Sequence, residues 1–131
     1  MEREVVNPWT WQDARGFVQA NVVTGAEKIV FVAGQVSVDG DGNPLHAGDM
    51  RGQVAKTLDN LEEVLRGAGL GLGDVVRLTY YVTDLAAFGE ARPVLAERLR
   101  SAGCRPAATL LHISGLAMPE LMIEIEATAA A

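Results

Sequence analysis

Carboxylates and arginines are the residues of this chain best suited to chemistry, and the most informative of them is Glu124. It stands in the segment MIEIEAT, where alternate residues of a strand would place it on the same face as Glu126. It could carry function, or it could simply be one of two acids on a polar strand face, and both interpretations stay open.

The two histidines and the single cysteine give weaker evidence of a functional site. His46 and His112 lie far apart without a cysteine cluster, so no zinc site is predicted. His112 could act as an acid or base near neutral pH, or it could be a hydrogen-bonded structural residue. Cys104 has Arg105 beside it as the only hint of activation, and the sequence favours an inert thiol in a surface loop.

Two loops imitate ion-binding motifs and fail in detail. The segment that begins at Asp39 opens like a calcium loop, but Pro44 stands where that loop needs a glycine. The glycines at 69, 71 and 73 follow a predicted helix and precede a predicted strand, which is the reverse of the order in a phosphate-binding loop. Neither a metal nor a phosphate-bearing cofactor is therefore predicted.

The apolar patterns predict strands that alternate with helices. From Lys28 the run KIVFVAGQVSV is typical of a buried strand, and turn residues follow it at 39–44. After Gly48, apolar residues recur every three to four positions, and Asp49 can cap the start, which predicts an amphipathic helix. The run VVRLTYYV at 75–82 has the bias of a second strand.

The second half of the chain repeats this order. A second helix should end at Gly103, and because Pro93 lacks a backbone donor, regular helix is predicted to begin at or just before Pro93. An irregular turn containing Leu85 and Phe88 would precede it. Two further strands are predicted at about 107–113 and 120–128.

These elements predict one α+β domain spanning residues 1–131. Two strand-and-helix halves fit a single sheet with both helices on one face. The opposite face of that sheet then needs cover. Because the strand at 29–33 is apolar on both faces, a partner subunit is expected to supply it.

The charge balance disfavours polyanionic partners. Seventeen acidic and eleven basic residues give a net charge of −6, so the chain as a whole repels nucleic acid. Arg98, Arg100 and Arg105 are expected to form an ordinary solvated helix end. No apolar run approaches the ~20 residues of a membrane span. The single cysteine suits a reducing compartment, so a cytoplasmic protein with neither nucleic-acid nor membrane partners is expected.

Several segments, in order along nearly the whole chain, carry a family resemblance. They are GFVQA at 16–20, VFVAGQVSVD at 30–39, the helix from Gln53 through LDNLEEVL, VTDLAAF at 82–88, and PAATLL with IEIEA near the end. Together they resemble the Rid family of reactive intermediate deaminases, also called endoribonuclease L-PSP proteins.

The resemblance implies a chorismate-mutase-like fold and a homotrimer whose sheets pack around a central barrel, with small-molecule pockets at the subunit interfaces. It also implies a cofactor-free hydrolysis of enamines and imines that gives a 2-oxo acid and ammonia. In that family an arginine clamps the substrate carboxylate. A glutamate near the C-terminus holds the attacking water and helps to activate it.

Most of the family's pocket residues are changed in this chain. The catalytic glutamate is matched by Glu124, and the backbone of a pocket glycine is matched by Gly34. Five other positions depart: the family's tyrosine, serine, asparagine, arginine and cysteine are replaced by Phe17, Ala33, Arg92, Ala108 and Leu110, respectively. His112 shares strand parity with the last two and completes the candidate ligand-binding residues.

The arginine lost at Ala108 removes a charged hydrogen-bonding anchor worth about 1.5–3 kcal/mol. Since Phe17 and Ala33 also lack hydroxyls, the resemblance implies a drier pocket in which simple 2-imino acids are poor substrates. Arg92 could supply a carboxylate partner from another direction. Alternatively, it is a solvated arginine near the start of the helix.

Three functions follow from these residues. The favoured one is hydrolysis of imines, enamines or related metabolites that are less polar than simple 2-imino acids, with Glu124 as the base. The second is a non-catalytic homotrimer that binds a small apolar molecule. The third, a ribonuclease or translation inhibitor, rests only on the family's older name and is disfavoured by the acidic chain.

Overall fold

The computed structural model describes residues 1–131 and contains two α-helices and six β-strands. The helices are α1 (Met50–Gly67) and α2 (Leu85–Ser101). The strands are β1 (Glu2–Val6), β2 (Ala20–Thr24), β3 (Ile29–Val36), β4 (Val75–Val82), β5 (Ala107–His112) and β6 (Ile123–Ala130). Neither helix has the length and apolar composition that crossing a bilayer requires.

The main sheet has four strands in the order β3, β6, β4, β5. Strand β6 pairs antiparallel with both β3 and β4, whereas β5 pairs parallel with β4. In β6 the buried residues Ile123, Ile125 and Ala127 alternate with the half-buried Glu124 and Glu126. The buried set faces the helices, so the predicted α+β architecture, with two helices on one face of the sheet, is confirmed.

Helix α1 forms where the apolar spacing predicted it. The Asp49 carboxylate accepts a hydrogen bond from the Gly52 amide at 3.0 Å and caps the first turn. Val54, Leu58 and Leu61 are fully buried and lie on one stripe of the helix. This stripe supplies much of the core between α1 and the sheet.

Helix α2 begins eight residues earlier than Pro93, at Leu85, so the predicted late start is wrong. The Asp84 carboxylate caps the helix by accepting from the Ala87 amide at 3.0 Å. Phe88 and Ala91, which lie before the proline, are both buried in the core. Capping and burial therefore offset the cost of about 3 kcal/mol that proline imposes on a helix interior.

An N-terminal hairpin of β1 and β2 is the part of the fold that the sequence patterns did not predict. The Arg3 side chain ties it to the main domain by donating to the backbone carbonyls of Val75 at 3.1 Å and Arg105 at 2.7 Å. Asn21 also donates to the Arg105 carbonyl, at 3.0 Å. These contacts dock the hairpin on the loop that leads into β5.

Two expectations about side chains near the end of α2 are wrong. Cys104 is only 5% exposed and does not lie on the surface. Arg98 is not freely solvated, because its guanidinium pairs with Asp59 at 2.9 Å and Glu62 at 3.3 Å. These ion pairs join α2 to α1, which sequence spacing within a single helix could not reveal.

The buried amide of Gln53 joins α1 to the segment before β6. Its nitrogen donates to the carbonyls of His46 at 3.1 Å and Glu120 at 2.8 Å, and its oxygen accepts from the Met122 amide at 2.8 Å. One turn along the same helix, the buried hydroxyl of Thr57 has no partner. The two side chains are equally buried but differ completely in their hydrogen bonding.

We expect Gln53→Leu to lower the free energy of unfolding by about 2–4 kcal/mol, because it leaves buried backbone groups unsatisfied. Thr57→Val should change it by less than about 0.5 kcal/mol, or raise it, because the lost hydroxyl makes no bond. Urea denaturation at one fixed protein concentration measures both changes. Equal losses in the two variants would contradict the assigned role of Gln53.

The thiol of Cys104 should be unreactive in the folded protein. Burial raises its pKa to about 11, although the nearby Arg3 guanidinium acts in the opposite direction. Since the thiolate is the nucleophile, alkylation by iodoacetamide at pH 8 should be at least about tenfold slower in the native than in the urea-unfolded chain. Equal rates would show that the thiol is accessible and ionises normally.

Candidate functional site

An open cleft of about 1120 Å³ lies beside β4, β5 and α2, and a short turn before β2 closes one side of it. Four of the candidate ligand-binding residues line this cleft, and they come from three separate segments. They are Phe17, Arg92, Ala108 and Leu110. We refer to this feature below as the cleft.

Backbone pairing brings the segments together. Residues Ala108 and Leu110 of β5 lie beside Leu78 and Tyr80 of β4, on the face of the sheet that packs against the helices. Phe17 reaches the same place because the amide of the next residue, Val18, donates to the Pro106 carbonyl at 2.9 Å. The wall at Ala108 and Phe17 presents no polar side-chain atoms.

Arg92 lines the cleft and does not extend freely into solvent. Its guanidinium carbon lies 5.1 Å from the centroid of the Phe88 ring, which is one helical turn earlier on α2. The four ion pairs of the chain involve Arg66, Arg98 and Arg100, so Arg92 has no carboxylate partner. Its planar set of donors is therefore available to a ligand anion.

Tyr80 also lines the cleft, and it was missed in the sequence. The side chain is 6% exposed, and its ring centroid lies 5.9 Å from that of Phe88. Burial raises the pKa of the phenol well above its usual value, so the hydroxyl stays protonated. Parity with Leu78 in the predicted strand could have indicated that Tyr80 faces inward.

The cleft is basic although the chain is acidic. Four arginines, Arg15, Arg92, Arg100 and Arg105, line it, and the only acidic residue among its lining is Asp13. Arg100 pairs with Glu97, and the guanidinium carbon of Arg15 lies 5.8 Å from the Trp11 ring centroid. The local field in the cleft therefore favours an anionic ligand.

Glu124, Gly34 and Ala33 lie elsewhere, where β3 and β6 pair. Glu124 is opposite Val36 on β3 and Tyr81 on β4, and its side chain is on the sheet face away from the helices. The β3 to β6 register shifts between Val32 and Gln35, at the two residues Ala33 and Gly34. Within one chain these residues do not line the cleft.

Glycine at position 34 lets the Glu124 carboxylate lie directly against β3. A Cβ atom added to Gly34 would be only 1.9 Å from Oε1 of Glu124. The glutamate could not keep this position beside any other residue. Neighbouring Glu126 has a different role, because its carboxylate accepts a hydrogen bond from the Tyr81 hydroxyl at 2.8 Å.

His112 lies at the end of β5 and is exposed. Its Nε2 atom is 3.2 Å from the Thr83 carbonyl, and the residue does not line the cleft. Nowhere in the chain do three or more His, Cys, Asp or Glu side chains come together in a way that could hold a metal ion.

The sheet face that carries Glu124 is uncovered and partly apolar. Phe31 on β3 is 81% exposed and Ile29 is 57% exposed. Phe31 pairs in register with Thr128 of β6, two residues beyond Glu126 on the same face. Large apolar side chains grouped on a sheet face are typical of a contact surface.

Comparison with known proteins identifies the family. The sequence model of endoribonuclease L-PSP matches residues 12–131. A RutC family protein of Pyrococcus horikoshii is 33% identical over 104 residues, which cover 79% of this chain and 80% of that protein.

Solved structures are similar over most of the chain. A protein of the conserved Rid family from Yersinia pestis has a TM-score of 0.86 and 36% identity, with 100% of each chain covered. The E. coli protein TdcF, solved with bound serine, has a TM-score of 0.72 and 27% identity, with 88% of this chain and 87% of that chain covered. The chain therefore belongs to the endoribonuclease L-PSP family, which is also known as the Rid family.

Proposed function

We propose that this chain forms a cytoplasmic homotrimer that hydrolyses imines and enamines that are less polar than simple 2-imino acids. One observation carries the proposal: the Arg92 guanidinium lies without an anionic partner in a cleft whose other walls are largely apolar. Arg92 would bind the substrate carboxylate from α2, replacing the anchor that β5 lacks at Ala108.

The uncovered sheet face supports assembly. Glu124 lies on that face, whereas the cleft opens beside the helices, so one chain alone does not bring Glu124 and Arg92 together. In a homotrimer, the cleft of one subunit would be completed by Glu124 and Gly34 of its neighbour. Burial of Phe31 and Ile29 in that contact would remove large apolar side chains from water.

The chemistry would need only water and a carboxylate. Glu124 accepts a proton as the water oxygen bonds to the imine carbon, and passes that proton to the imine nitrogen as its π bond to carbon breaks, which gives a carbinolamine. Glu124 then transfers the hydroxyl proton of the carbinolamine to its nitrogen, the carbon–nitrogen bond breaks, and ammonia leaves as the carbonyl forms. Arg92 would hold the substrate carboxylate throughout, which fixes the reacting carbon in place.

Serine bound to TdcF supports a ligand that carries a carboxylate and a nitrogen on the same carbon atom. The basic lining of the cleft suits the carboxylate of such a ligand. The apolar side chains at positions 17, 108 and 110 favour a second candidate, a homotrimer that binds a ligand without turning it over. That candidate predicts thermal stabilisation by ligand without formation of product.

Activity can be tested with imines that an L-amino-acid oxidase makes from phenylalanine, by following the rate of ammonia release. We expect the protein to accelerate release, and Arg92→Ala to lower kcat/KM about 10- to 100-fold through loss of the charged anchor. Glu124→Gln should lower kcat at least about 100-fold, because the base is lost.

Glu126→Gln is the matched control, since it alters the neighbouring carboxylate of the same strand face and should leave kcat within about twofold of the wild type, because this carboxylate is not the base. Full activity in Glu124→Gln would contradict the assignment of the base. Ligand-induced stabilisation without any ammonia release would instead favour the binding module.

Assembly can be tested by light scattering coupled to size-exclusion chromatography. We expect a mass about three times the 13.9 kDa of one chain. Phe31→Glu should give a folded species of lower mass, because it places a charge in the apolar contact and close to Glu126. A wild-type protein that stays monomeric at micromolar concentration would rule out the shared site.

A further inference from the structure

We propose that the Tyr80 hydroxyl is a specificity-determining group that binds the ligand carboxylate together with Arg92. We further propose that the ligands are 2-imino and 2-oxo acids with a large apolar side chain, either aromatic or branched. This inference rests on the proposed function and names the substrate class of the same cleft.

Phe88 positions both groups. Its ring is 2% exposed and contacts the Tyr80 ring at a centroid distance of 5.9 Å. The Arg92 guanidinium lies over the same ring at 5.1 Å. A phenol from β4 and a guanidinium from α2 are thus held against one buried aromatic side chain, at the edge of one cleft.

The Tyr80 hydroxyl has no partner within the chain. The residue is 6% exposed, yet its hydroxyl is not completely buried as that of Thr57 is, because Tyr80 lies at the wall of the cleft. Tyrosine hydroxyls in largely buried positions usually form a hydrogen bond. A ligand oxygen in the cleft would satisfy it.

The protonated hydroxyl of Tyr80 is suited to donate a hydrogen bond to a ligand carboxylate. Burial holds the phenol protonated at physiological pH, so the oxygen can donate to a carboxylate and does not repel it. Tyr80 and Arg92 both lie against the Phe88 ring and both line the cleft, so one bound anion could meet both groups. A phenol and a guanidinium together provide a fixed set of donors.

The apolar residues of the cleft determine which side chain the ligand can carry beside its carboxylate. Phe17, Leu95, Leu99 and Leu110 line the cleft and offer no hydrogen bonds from their side chains. A cleft of about 1120 Å³ is much larger than the smallest 2-imino acids require. Burial of a phenyl or branched aliphatic group against these residues would supply the affinity that a methyl group cannot.

The test compares three stable probes by isothermal titration calorimetry with the intact protein. Phenylpyruvate has both the carboxylate and an apolar phenyl group, pyruvate lacks the phenyl group, and phenylacetone lacks the carboxylate. We expect phenylpyruvate to bind at least about tenfold more tightly than pyruvate. Equal affinities for these two probes would overturn the proposed substrate class.

Tyr80→Phe keeps the ring and removes only the hydroxyl. It should weaken phenylpyruvate binding about tenfold and leave phenylacetone binding unchanged, because only the first probe has a carboxylate for the hydroxyl. Thr57→Val, which removes a buried hydroxyl outside the cleft, should alter neither.

Unchanged phenylpyruvate affinity in Tyr80→Phe would overturn the role of the hydroxyl. An equal loss for phenylpyruvate and phenylacetone would also overturn it, because that pattern reports a change in cleft shape. Ammonia release reports separately on the proposed function. Its absence in a wild-type protein that still discriminates the probes would reject the hydrolysis and retain the Tyr80 anchor.

Discussion

Burial of one face of the main sheet against both helices is the interaction on which the rest of the structure depends. Ile123 and Ile125 of β6 and Leu78 of β4 are fully buried in that layer. Because strand residues alternate between faces, covering one face determines which residues are left on the other. Glu124 and the exposed Phe31 are therefore on the uncovered face, away from the cleft.

Charge is distributed unevenly over the molecule. The chain carries a net charge of −6, yet four arginines line the cleft. Arg98 is not one of them, because Asp59 and Glu62 hold it at the junction of the helices. Arg92 forms no ion pair and lies over the Phe88 ring, so its guanidinium is available to a ligand.

Small residues shape the candidate site as much as its charged residues do. Gly34 permits the close approach of the Glu124 carboxylate to β3, which no side chain at that position would allow. Ala108 leaves the β5 wall without an anchor, and Arg92 approaches the same cleft from α2. The charged side chain at this part of the cleft therefore comes from the helix and not from the strand.

The sequence by itself determined the family, the α+β class and the course of α1 and β4. Those features depend on local periodicity and motif order, which are written along the chain. It gave the wrong start for α2, because cap strength and the burial of Phe88 outweighed Pro93. Only the tertiary structure decided that Tyr80, Arg92 and Ala108 share a cleft while Glu124 faces away, because strand neighbours and covered faces are set by long-range packing.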